Sequence, residues 1–206
     1  MRLILASASP ARLRTLRAAG LDPEVIVSAV DESVYTAPTP AELALILARV
    51  KAEAVYATLG SPADTIVIGC DSILDFEGKP VGKPGSPEAA TALLARTRGR
   101  AGVLVTGHHL IVAGDDVQRV TRLASTVVHV ADLTDEEIAA YVATGEPEHV
   151  AGGFTIDGLG GPFIAGLEGD PHNVVGLSLP LLRLMLADCG VRWTSLWAHR
   201  AAVPSV

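Results

Sequence analysis

Six residues carry the chemistry this chain could do: Ser7, Arg12, Glu32, Lys51, Asp71 and Lys83. Three are cations and two are acids, each at the end of an expected element or on its border. Cationic side chains neutralise phosphates, while carboxylates hold a divalent ion and activate water, so the set is what metal-assisted attack on a phosphoanhydride requires. Taken together, these residues point to phosphate-ester or anhydride chemistry. Taken singly, each has a plainer reading. Asp31-Glu32 at a strand end reads as a solvated turn. Lys51 rides the border of an apolar helical stripe, where lysines usually snorkel to water. Asp71 is more suspicious, because ligands of α/β sheets bind at the carboxyl ends of strands.

The elements that must position these residues begin with Leu3-Ile4-Leu5-Ala6-Ser7-Ala8-Ser9-Pro10-Ala11-Arg12, a buried strand entering a helix through a hydroxyl-rich turn. Ser9 suits the N-cap and Pro10 the first helical position. Free helix amides, Ser7, Ser9 and Arg12 then converge on one point fit for an anion, although the same segment equally describes an ordinary capped helix. Gly20 stops that helix, and Val25-Ile26-Val27 is a short β run. Thr39-Pro40-Ala41-Glu42 is a capping box opening a helix through Leu43, Leu47, Val50 and Ala54. Thr65 to Asp71 reads as a strand buried on both faces that ends in its carboxylate, with Ser72-Ile73-Leu74 continuing extended. The two Gly-Lys pairs, at 78–79 and 82–83, are not P-loops, since no GxxxxGK precedes and proline follows each lysine.

Ser86-Pro87-Glu88 caps a further helix ending at Gly99. Val103 to Val112 and Val117 to Val130 form an antiparallel hairpin, on which His108 and His109 face opposite ways and so cannot share a metal. Thr134-Asp135-Glu136-Glu137 is a second capping box. Between Ala151 and Gly176 glycine is dense, which reads as a strand and tight turns that something approaches closely. Ser178 caps a closing helix, roughly Leu179 to Cys189, and the tail from Val191 carries Trp193 and Trp197. Helices and strands alternate around one long hairpin, so the expected fold is α/β with a mixed, strongly twisted sheet.

Composition narrows the partners. A chain of 206 residues with 49% apolar side chains can bury a sizeable core, as one domain or two small lobes. Sixteen basic against twenty-three acidic residues give a net charge of −7, which argues against a nucleic-acid surface and leaves an anionic small molecule held by a few focused cations. No run reaches the roughly 18 apolar residues of a membrane span, and no secretory signal opens the chain, so a cytoplasmic location is expected. Cys70 and Cys189 read as buried thiols.

The N-terminal Leu-Ile-Leu-Ala-Ser-Ala-Ser-Pro-x-Arg, Val30-Asp31-Glu32, Ile68-Gly69-Cys70-Asp71-Ser72, Gly82-Lys83-Pro84, Ala151-Gly152-Gly153-Phe154-Thr155-Ile156-Asp157-Gly158 and Asn173-Val174-Val175-Gly176-Leu177 follow one another in a fixed order. In that order and spacing the chain resembles the Maf family over residues 2 to about 188. The resemblance implies hydrolysis of a nucleoside triphosphate to the monophosphate and pyrophosphate with a divalent cation, Mg²⁺, Mn²⁺ or Co²⁺. It also implies a fold like the inosine-triphosphate pyrophosphatases: an elongated mixed sheet flanked by helices, with the site in a cleft between two lobes of one domain over 1–190. Asp71 matches the family's proton acceptor, and Glu32 with Asp71 would hold the metal. Lys51, Lys83 and Arg12 match its phosphate-binding cations, Ser7 and Ser9 its N-terminal loop, and Ser72 and Asp157 positions that touch substrate. A homodimer is a further expectation, and the family's association with arrest of septum formation leaves a non-enzymatic regulator as the alternative.

The departures bear on the base. Ala11 stands where the usual signature has an arginine, Ser72 where the dTTP/UTP branch has threonine, and Asp157 where that branch has glutamine. A carboxylate accepts hydrogen bonds but donates none, so Asp157 cannot reproduce an amide's pairing with a pyrimidine edge. It suits a donor-rich edge such as guanine, although the rest of the motif is unlike the 7-methyl-GTP branch. The base therefore stays open.

Overall fold

The computed structural model describes residues 1–197. Local signals set most element starts. β1 (Arg2–Leu5) leads through the Ser7–Ser9 turn into α1 (Pro10–Ala18), where the Ser9 side chain accepts from the Arg12 amide. β2 (Glu24–Val25) and a 3-10 turn at Glu32–Val34 precede α2 (Pro40–Thr58), whose Thr39–Glu42 capping box is fully formed. β3 (Thr65–Phe76) and β4 (Lys79–Val81) lead to α3 (Pro87–Thr97), capped by Ser86. The long hairpin is β5 (Ala101–Ala113) and β6 (Val117–Val130), followed by α4 (Asp135–Val142) with the second capping box. β7 (Ile164–Glu168), α5 (Pro171–Val175) and α6 (Leu179–Asp188), capped by Ser178, close the fold.

The strands form one mixed seven-stranded sheet in the order β2-β1-β3-β5-β6-β7, with β4 on β3. β1 runs parallel to β2 and β3, and the remaining pairings are antiparallel. On one side of β3, β1 pairs as far as Leu5 opposite Ile68, and β4 begins only with Val81 opposite Leu74. The edge of β3 over 69–73 is thus open between them. Two cores lie on either side of this gap. Leu5, Ile68, Leu110, Leu182 and Met185 pack under the first half of the sheet, and Leu74, Phe76, Leu104, Val128 and Phe154 under the second.

Two expectations are corrected and one is met. Asp71 does not end its strand: β3 runs on to Phe76, because β5 pairs with it continuously from Thr65 to Asp75. The glycine-dense segment 151–176 does hold a strand, β7, preceded by 3-10 turns at Ala151–Gly153 and Gly161–Phe163. Lys51 is not a border residue with its ammonium in water but is buried at 8% exposure. Of the tail, Trp193 and Leu196 pack against the first core, and a Cβ on Gly20 would come within 2.8 Å of the Trp197 ring. Residues 198–206 lie outside the described ones.

Candidate active site

Two glycines bring α2 down onto the sheet. A Cβ at Gly69 would meet the Ala48 carbonyl and come within 2.8 Å of the Ala52 methyl, and one at Gly107 would meet the Ala44 carbonyl. Ala44, Ala48 and Ala52 repeat every four residues, so one small-residue face of the helix lies against a glycine-lined strip of β3 and β5. Gly107 is the cross-strand partner of Asp71, and Gly69 precedes Asp71 by two on the same face. The Asp71 carboxyl therefore stands in a depression roofed by α2, one helical step from Lys51.

The Lys51 ammonium donates to Asp71 Oδ1 at 2.6 Å and pairs with Glu32 Oε1 at 2.8 Å. Its side chain is 10% exposed, that of Asp71 12% and that of Glu32 52%. Glu32 is delivered by its 3-10 turn, which Asp31 caps by accepting from the Ser33 amide at 3.0 Å and hydroxyl at 2.6 Å. The Ser33 bonds hold Asp31 below the ordinary carboxylate range. Burial pushes the Asp71 carboxyl up from the usual 3.8, against the pull of Lys51 and Arg12, and Glu32 adds to the rise. A carboxylate so raised keeps a proton more readily, which suits a base.

Strand alternation sends Ser72 to the opposite face, where it meets the N-terminal loop. Arg12 donates through Nε to the Gly176 carbonyl at 2.7 Å, through Nη1 to Ser7 Oγ at 3.0 Å and through Nη2 to Ser72 Oγ at 3.0 Å. Gly176 has a φ of +116°, and a Cβ there would lie 3.2 Å from Arg12 Nε, so only glycine lets the guanidinium seat. Ser7 Oγ also accepts from the Ser9 amide at 3.2 Å. With three donors engaged, two of the five guanidinium N–H groups are left for a ligand. Ser72 continues to Thr106 Oγ1 at 2.9 Å, which in turn donates to the Asn173 carbonyl at 3.3 Å. Two clusters, Glu32–Lys51–Asp71 and Ser7–Ser9–Arg12–Ser72, thus flank the open edge of β3 on opposite faces.

Lys83 lies two residues beyond β4, at the far border of the gap, exposed and without an ion pair among the described residues. Its loop is tied to the glycine-dense segment by the Gly152 amide donating to the Gly82 carbonyl at 3.1 Å. Asp157 is not brought to either cluster by a direct contact. It pairs with Arg14 of α1 at 3.5 Å and lines a cavity of about 350 Å³ with Arg14, Thr15, Ala18, His172 and Val175. Sequence reasoning missed Thr106, Gly69, Gly107 and the fully buried Asn173. A threonine or glycine inside a strand carries no local sign of what packs on it, whereas Gly69 and Asn173 lie in quoted motifs and were readable only as part of them.

Glu32 and Asp71 are the residues that could hold a divalent cation. Among the described residues no cluster of three His, Cys, Asp or Glu exists to form an all-protein cage. Both carboxylates bond the Lys51 ammonium through one oxygen each, so Mg²⁺ or Mn²⁺ would be held by their remaining oxygens together with those of a triphosphate, the usual way such ions are held. Cys70, beside Asp71, has its thiol pushed up to about 12 by burial and is inert. No helix among the described residues is long and apolar enough to cross a membrane.

Residues 2–189 match the family model described as Maf-like protein. A protein of Streptomyces coelicolor named nucleoside triphosphate pyrophosphatase is 58% identical over 197 residues, covering 96% of this chain and 95% of its own length. One of the same name from Salinispora tropica is 55% identical over 203 residues, covering 97% and 88%. Among solved structures, a HAM1 protein from Coxiella burnetii superposes with a TM-score of 0.50 at 16% identity, covering 91% of this chain and 99% of that one, a likeness of fold. With a family match spanning nearly the whole described chain and relatives above half identity, this protein belongs to the Maf-like family.

Proposed function

We propose that this chain is a nucleoside triphosphate pyrophosphatase, cutting the α–β phosphoanhydride of a free nucleotide to leave the monophosphate and pyrophosphate. The observation that carries this reading is Asp71 at the open edge of β3, raised by burial and held by Lys51 beside Glu32. The names of the relatives support it.

Only one oxygen of Asp71 is bonded to Lys51, so the other is left to accept a proton from the attacking water. Lys51, the spare donors of Arg12 and the exposed Lys83 are the cations available to neutralise the triphosphate and the leaving pyrophosphate. Arg12 is also braced by Ser7 and Ser72, so its position is set before substrate arrives. Glu32 and Asp71 would hold a divalent cation, Mg²⁺, Mn²⁺ or Co²⁺, which when bound supplies charge neutralisation of the phosphates. A net charge of −7 favours a free nucleotide over a nucleic acid.

Pyrophosphate release from dTTP, UTP, CTP and GTP, each with Mg²⁺, Mn²⁺ or Co²⁺, tests the reading. Hydrolysis of at least one nucleotide, abolished by chelation and by Asp71→Asn in a folded protein, is the expected result. Absence of pyrophosphate release under every condition, or full activity of Asp71→Asn, would remove the proposed chemistry.

A further inference from the structure

Glu146, half-buried in the turn after α4, has no place in the chemistry above, yet its carboxylate is the most heavily bonded acid among the described residues. Oε1 accepts from Tyr141 Oη at 2.9 Å, Thr155 Oγ1 at 2.7 Å and the Gly160 amide at 3.0 Å, while Oε2 accepts from the Leu159 amide at 3.1 Å. The Tyr141 hydroxyl also accepts from the Thr155 amide at 3.3 Å. Burial would raise the Glu146 carboxyl, but the bonds from Thr155, Leu159, Tyr141 and Gly160 outweigh it and keep the group ionised and acceptor-only.

The loop over 155–160 is wrapped on this one group. It has no strand partner, and its glycines are sized to the carboxylate and phenol: a Cβ at Gly158 would lie 2.5 Å from Glu146 Oε2, and one at Gly160 would meet Tyr141 Oη. At its centre is Asp157, pointed across to Arg14 of α1, two residues beyond Arg12. We infer that Glu146, seated on Tyr141, is a positioning residue for nucleotide selection: it holds 155–160 so that Asp157 stands against Arg14 on the wall of the cavity beside α1 that His172 and Val175 also line. The inference rests on the proposed pyrophosphatase reading and extends it to a residue that touches no substrate. Because Asp71, Lys51 and Glu32 sit on another face and another element, disturbing Glu146 loosens recognition and spares the chemical step.

Steady-state kinetics on dTTP, UTP, CTP and GTP with Mg²⁺, for the unmodified protein, Glu146→Gln and Tyr141→Phe, tests this together with amide hydrogen exchange over 155–160. In Glu146→Gln the amide must turn an N–H₂ toward one of the present donors, so at least one charge-assisted bond is lost. The expected result is a rise of about tenfold in KM for the preferred nucleotide, a similar fall in its lead over the next, and kcat within about threefold. Residues 155–160 should exchange faster while β3 keeps its protection. A loss confined to kcat, an unchanged nucleotide ranking with unchanged KM, or unchanged exchange over 155–160 overturns the role. Should Glu146→Gln show no cooperative unfolding, Tyr141→Phe and Gly158→Ala carry the same expectations. An unmodified protein inactive on all four nucleotides overturns the pyrophosphatase reading, and this role with it; an active, selective one whose selection ignores Glu146 overturns the role alone.

Discussion

Replacing Lys51 by methionine keeps the aliphatic stem under α2 and deletes only the ammonium shared by Asp71 and Glu32. Asp71, its side chain 12% exposed, is then a buried carboxylate facing a second one with no counter-ion. Breaking a buried pair costs about 3–5 kcal/mol. Protonation sets a ceiling: neutralising an ordinary aspartate of pKa 3.8 at pH 7 costs about 4 kcal/mol at 1.36 kcal/mol per pH unit. A loss of about 3–4 kcal/mol at pH 7 is therefore expected, a large part of the 5–15 kcal/mol typical of domains. The sign of the pH dependence follows from the direction of the shift. A carboxyl raised on folding binds more protons in the native state, so its cost is absent below the unfolded value and grows as pH rises through the folded one. Without Lys51, the main influence lowering Asp71, the cost is larger. The deficit of Lys51→Met against the unmodified protein should thus be small near pH 4 and widen toward pH 7. Urea unfolding at both pH values, with Asp71→Asn and the double variant, measures it. The double variant should be more stable than Lys51→Met alone, since no orphaned charge remains. Equal stability of Lys51→Met and the unmodified protein at pH 7, or a double variant no better than the single one, refutes the electrostatic account.

Gly69→Ala should push α2 off the sheet, because the new methyl meets the Ala48 carbonyl and lies 2.8 Å from the Ala52 methyl. Thermal unfolding should report a loss of about 1–3 kcal/mol, and pyrophosphate release should fall further, since Lys51 retreats with the helix; unchanged activity contradicts the packing argument. His108 is lowered to about 4 by burial, with Nε2 accepting from the Ser178 amide at 2.9 Å. A base lowered on folding binds fewer protons than the unfolded chain, so stability should be lost as pH falls from 6.5 toward 4, by up to about 3 kcal/mol. His108→Gln should flatten that slope in urea titrations, and identical slopes would exclude His108 as its source. Asp71→Asn should retain a cooperative unfolding transition while losing roughly 10²–10⁴-fold in pyrophosphate release, as removal of a general base does.

Features encoded over a few residues were legible directly. The caps at Ser9, Thr39, Ser86, Thr134 and Ser178 all form, because an N-cap joins a side chain to an amide two or three residues on and needs no partner from elsewhere. The hairpin at 113–116 was legible for the same reason. Asp71 as a strand end was misread, because strand length is set by the neighbouring strand, and β5 is long enough to carry β3 past it. The burial of Lys51 was misread because it depends on glycines 18 and 56 positions away, at Gly69 and Gly107. Ordered motifs pointed to Asp71, Glu32, Lys83 and Arg12, but nothing in their spacing tells that Arg12 is braced by Ser72 and Gly176 or that Glu146 gathers the loop around Asp157. The sequence by itself determined the helix starts, the alternation of faces along each strand and the residue types present for phosphate chemistry, all of them near-neighbour properties of the chain. Only the tertiary structure decided which of those residues touch one another. A gap between two strands, the closeness of one helix to the sheet and the bonding capacity of one carboxylate depend on groups that folding brings together from distant positions.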